Sequence, residues 1–155
     1  MSFRITGLDP APFRRLYGLS DQALAAEGVR RVVADADFGF PDRIALRDAG
    51  RGESLLLLNY VHQPADTPYR ASHAIFVREG AEKAWDAVDS LPEALVRRPI
   101  SLRAFDADHM MVAADLADGA ALTPLIEDFL ADPAVAYLQA HYAKRGCYAA
   151  RFTRP

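Results

Sequence analysis

Hydrophobic and polar positions along this chain predict more strands than helices. Leu55–Leu58 is a continuous apolar run inside Ser54–His62. A run that short suits a central strand buried on both faces. Ser72–Arg78 predicts a second strong strand across the Gln63–Ala71 loop, with its two prolines. Arg30–Ala34 and Arg43–Leu46 read as weaker strands around Gly39 and Pro41, and Asp48–Gly52 as a turn. Ser2–Leu8 predicts a first strand ended by Asp9-Pro10-Ala11-Pro12. Ile100–Phe105 and Met110–Ala114 form a predicted hairpin around Asp106–His109.

Helical signals are fewer. Ser20 has the place of an N-cap, Leu19 and Leu24 the spacing of a hydrophobic staple, and Gly28 the place of a C′ residue. Leu122, Leu125, Ile126, Phe129 and Leu130 repeat at helical spacing, which predicts a helix over Ala120–Ala131. Ala81–Val88 is expected to make a helical turn or two before Pro92.

The C-terminal segment is alanine-rich, yet its pattern fits a hairpin of Ala136–Ala143 and Cys147–Phe152. Lys144-Arg145-Gly146 would be a three-residue loop ending in a left-handed residue. In that register Ala143 opposes Cys147. Tyr137, Gln139, His141, Cys147 and Arg151 then share the polar face. The expected fold class is α+β: one domain over residues 1–155, a mainly antiparallel β-sheet with helices packed on one face, and a C-terminal β-hairpin.

At 155 residues the chain is long enough to bury a core without metals or disulfides. Its net charge of −3, with acids and bases interspersed, argues against a nucleic-acid partner. The longest apolar run is far too short for a membrane span, and the N-terminus lacks a signal-peptide pattern. A single cysteine excludes an intrachain disulfide and any CxxC motif and fits a reducing compartment, so a cytoplasmic protein is expected.

Three blocks of sequence carry a resemblance: LLLLNYVHQPADTPYRASHAIFVREGAE, SLRAFDADHMMV and HYAKRGCYAAR. They resemble the bacterial family catalogued as domain of unknown function 1203, over nearly the whole chain. The resemblance implies no activity, cofactor or catalytic residue. Many members carry Cys after Phe-Pro where this chain has Asp42, so the resemblance implies no two-cysteine redox or metal role here.

The chemistry-bearing residues gather in two stretches. Around the last hairpin, Cys147 is the candidate nucleophile and His141 the candidate base, with His73 as a third catalytic candidate. The competing reading is an inert, half-buried thiol beside a histidine on a wet face. In the 63–73 loop, Tyr69, Arg70 and Ser72 form a candidate anion-binding edge, because an Arg fork holds carboxylate or phosphate bidentately. The competing reading pairs Arg70 with Asp66. His62, His73, His141 and Cys147 are the residue types zinc prefers, but no motif spacing anchors them, and no metal or cofactor is expected. Asp106, Asp108 and Asp115 lack the Gly and Glu of a calcium loop.

These residues imply a protein that binds an anionic small molecule between the 63–73 loop and the C-terminal hairpin; whether it also acts on that molecule is not decided by sequence. The alternative is a non-catalytic protein-interaction module. The sequence gives no oligomeric state.

Overall fold

The computed structural model describes residues 1–155 and is an α+β fold of nine strands. In chain order these are β1 (Arg4–Thr6), β2 (Arg30–Val33), β3 (Ser54–Gln63), β4 (Ala71–Arg78), β5 (Asp86–Val88), β6 (Pro99–Phe105), β7 (Met111–Asp118), β8 (Tyr137–Tyr142) and β9 (Cys147–Thr153). The helices are α1 (Asp21–Ala26), α2 (Glu93–Val96) and α3 (Leu122–Ala131). One sheet has the order β5-β1-β9-β8-β6-β7, the other β2-β3-β4, and all of their ladders are antiparallel.

The apolar run does what its pattern predicts. β3 is the middle strand of the small sheet, with Leu56 opposite Val77 and Leu58 opposite Ile75. Leu55 and Leu56 are fully buried and Leu58 nearly so. Leu56, Leu58, Ile75 and Val77 form a core with Phe13, Leu16 and Leu24, which arrive from a 3₁₀ turn and α1. Ser20 caps α1 by accepting from the Ala23 N–H at 3.1 Å, and Gly28 follows it at φ 73°. Removing each such leucine side chain from water contributes about 2 kcal/mol.

The larger core lies where α3 packs on β6, β7 and β8. Leu122, Ile126 and Leu130 are its buried stripe, set against Ile100, Leu102, Leu138 and Phe152. Pro124 sits in the first helical turn, where an N–H has no intrahelical partner anyway.

Two expected elements differ. Arg43–Leu46 is not a strand. It is a buried irregular segment whose neighbours make only isolated bridges, Pro41 to Asp48 and Asp42 to Phe76. The buried Asp42 carboxylate accepts the Ala45 N–H at 2.7 Å and the Arg78 N–H at 2.8 Å, which bends the chain away from a ladder. Gly7 packs beneath it, where a Cβ would stand 2.0 Å from the Ile44 oxygen. Ala81–Val88 is not helical either. Trp85 exchanges backbone bonds with Ile44 and Gly7, and Asp86–Val88 pairs with β1. Tertiary pairing overrides a weak local preference there.

The C-terminal hairpin is present, with one shift that matters for chemistry. Leu138 opposes Phe152 and Ala140 opposes Ala150, but His141 opposes Tyr148 and Tyr142 opposes Cys147. Ala149 is therefore an extra residue, a β-bulge, and the loop is Ala143–Gly146. Gly146 has φ 77°, as the turn requires, and donates its N–H to the Tyr142 carbonyl at 2.8 Å.

Candidate functional site

The bulge decides which side chains meet. Facing residues in an antiparallel pair share a face, and successive residues alternate. Beyond Ala149, His141 and Tyr148 point to one side, and Tyr142 and Cys147 to the other. The expected partnership of His141 with Cys147 is thus overturned, because the expected register had no bulge.

On the first side a polar seam joins the two sheets. The His62 and His141 rings meet edge to face, 4.8 Å between centroids, and His62 stacks on Tyr148 at 5.9 Å. Buried Gln139 ties them together. Its Nε2 donates to the His62 carbonyl at 2.9 Å, and its Oε1 lies 3.1 Å from both His62 Nδ1 and His141 Nε2. His141 Nδ1 faces the Gly146 carbonyl at 3.1 Å. Burial drives the His141 pKa down to about 3, with Arg103 adding repulsion, so the ring is neutral at ordinary pH. A neutral ring has one N–H for these two acceptors, and desolvation still sets the direction. His62 is lowered by the same cause.

The other side opens on a cleft of about 590 Å³. Its walls are Phe38–Pro41, Arg97–Pro99 and the tip of the last hairpin, with Arg43 and Cys147 at the base. A volume of this size suits a small ligand. Five of the fourteen lining residues are Arg or Lys, and none is Asp, Glu or His. Arg97 pairs with Glu93, and Arg98 with Asp48 at 2.5 Å. Lys144 and Arg145 are exposed at the rim and make no ion pair, which leaves the cleft positive.

Arg43 is the unusual group. It is 1% exposed, and its donors go to the Tyr148 carbonyl at 2.7 Å, the Pro41 carbonyl, and the Cys147 sulfur at 3.1 Å. None goes to a carboxylate. Its neighbour Asp42 is occupied by two backbone amides. Its guanidinium also lies over the Tyr142 ring, 4.9 Å from the centroid. Tyr142 is 5% exposed, yet its hydroxyl has no hydrogen-bond partner. Burial raises its pKa to about 12, so it stays a phenol and a donor. Tyr142 lines the cleft, and a buried hydroxyl without a partner there is an exception to the usual pairing of buried polar groups.

The other expected site residues lie elsewhere. Arg70 is exposed and donates to the Pro64 carbonyl at 2.8 Å, closing its own loop through that oxygen rather than through Asp66. Tyr69 meets Phe105 edge to face, and Ser72 is exposed on β4. None of the three lines the cleft. His73 bridges to the hairpin tip, with Nδ1 2.8 Å from the Ala74 carbonyl and Nε2 3.1 Å from that of Arg145. No group of three or more His, Cys, Asp or Glu side chains is placed to hold a metal. Arg43 and Tyr142 are the residues sequence reasoning missed. Tyr142 read as an apolar-face residue and Arg43 as part of a weak strand.

The molecule is thus an α+β protein with a basic, aromatic-walled cleft and a thiol at its base. Its chain belongs to the family described as "Protein of unknown function (DUF1203)", matched over residues 39–154, a span that includes every lining residue of the cleft but Phe38. No curated protein and no solved structure matches the chain. No helix is long and apolar enough to cross a membrane.

Proposed function

We propose that this protein binds a small anion with an aromatic or apolar body in the cleft between Phe38–Arg43, Arg97–Pro99 and the last hairpin. The observation that carries this reading is the Arg43 guanidinium, buried without a carboxylate beside the open hydroxyl of Tyr142. A buried charge normally has a countercharge. Carbonyl oxygens solvate Arg43 but leave its charge uncancelled, and an anion in the cleft cancels it. Phe38, Phe40 and Tyr142 supply flat apolar surface for the rest of the ligand. The lone reduced cysteine suits the cytoplasm, where we place the protein.

Calorimetric titration with phenyl phosphate tests the reading. Saturable binding is expected, weakened about tenfold in the double variant Lys144→Glu/Arg145→Glu, roughly 1.4 kcal/mol, and weakened again by high salt. Absence of binding, or binding unchanged by reversing two rim charges, overturns it.

A further inference from the structure

We propose that Cys147 undergoes thiol–disulfide exchange with an anionic disulfide seated in the cleft and ends as a mixed disulfide. This rests on the anion-binding reading above and adds the chemistry of the ligand.

Four observations lead there. Cys147 is 7% exposed, and the cleft it lines is its opening to solvent. A reagent reaching the sulfur must therefore pass the uncompensated charges of Lys144 and Arg145. Arg43 donates to the sulfur at 3.1 Å, which offsets negative charge on it during attack. Tyr142 opposes Cys147 on the same face and keeps its hydroxyl free, a donor for the incoming group. Finally, no histidine or carboxylate lines the cleft, and His141, on the far face, is neutral. Reactions that expel an amine or alkoxide need a proton donor at the leaving atom. A thiolate leaves without one. The site thus favours a substrate whose leaving group is sulfur.

The step balances without another reagent. The Cys147 thiol gives its proton to solvent, and its sulfur attacks one sulfur of the ligand. A new S–S bond forms, the ligand's S–S bond breaks, and the electron pair departs on the second sulfur, which takes a proton from water. The chain has one cysteine, so no internal thiol can displace the adduct. It persists until an external thiol removes it.

The test compares two disulfides on the full native chain by intact mass: oxidised glutathione, which is anionic, and cystamine, which is cationic. Their rate ratio in the guanidinium-unfolded chain is the reference. The native ratio is expected to favour glutathione by about tenfold or more over that reference, in keeping with steering by a positive cleft. Dithiothreitol should reverse the adduct. Because an Arg43 variant may fail to fold, the exposed pair Lys144→Glu/Arg145→Glu tests the filter and should abolish the preference. Tyr142→Phe should slow the reaction several-fold. No adduct from the native chain, with phenyl phosphate still binding, overturns the exchange and leaves the anion site standing. Equal native and unfolded ratios, without phenyl phosphate binding, overturn both.

Discussion

Arg43 and Cys147 lie 104 positions apart in sequence and meet at 3.1 Å between guanidinium nitrogen and sulfur. This contact fastens an irregular segment near the start of the matched region to the tip of the last hairpin. Arg43→Met should cost about 3 kcal/mol, because it leaves buried acceptors unpaired at both ends. Arg43→Lys should not restore the loss, since one ammonium cannot reproduce the guanidinium fork. Urea unfolding of the three proteins checks this; a Lys variant as stable as the parent would contradict it.

Leu56→Ala and Leu58→Ala should each cost about 2–5 kcal/mol as core deletions. Leu56, fully enclosed between β2 and β4, should cost more than Leu58, which keeps 8% exposure. Chemical denaturation of both variants gives the order directly.

Gly146→Ala isolates backbone strain. A Cβ there meets no atom within 4 Å, so the whole effect comes from φ 77°. The expected cost is about 1 kcal/mol. A neutral result would place the turn in another conformation.

Stability should fall as pH drops below the ordinary histidine range. Folded His141 has a pKa of about 3, whereas the unfolded chain binds that proton near 6.5. Above 6.5 both states are neutral and the full stability is present. Between 6.5 and about 3 the unfolded state binds more protons, so stability declines with falling pH, by at most about 1.4 kcal/mol per unit for this group. His141→Gln should flatten that window. Glu53 and Glu79, held near 2 by Arg47 and Arg31, contribute stability above the ordinary carboxylate range that is lost only as pH falls from about 4.5 toward 2. The variant should leave that lower limb unchanged. An unaltered slope between 6.5 and 4.5 would show that His141 is not the group titrating.

Much of the fold was legible because local signals and tertiary demands agree. The leucine run, the Ser20 cap, the α3 stripe and the glycine after Arg145 each specify their element without distant help. Arg43–Leu46 and Ala81–Val88 misled for one reason: their backbone bonds go to Phe76, Gly7 and β1, partners that no local periodicity encodes. The candidate site was legible only in part. Cys147 stood out as the lone thiol, but its partners depend on a bulge in an alanine-rich strand, where Ala149 and Ala150 look alike. Arg43 reaches it across 104 positions of sequence, a contact that no local pattern encodes.

Ala149 therefore has an influence out of proportion to its methyl group. Taken into the ladder opposite His141 instead of bulging out of it, Ala149 would set Tyr148 opposite Tyr142 and Cys147 opposite Ala143, turning Cys147 toward the histidines and Tyr148 toward the cleft. Among chains of this shape, whether that single position bulges or pairs is a hinge between two chemistries, a thiol beside guanidinium or a thiol beside imidazole. The pairing of this one strand position therefore says more about what a relative's thiol can do than the substitutions around it.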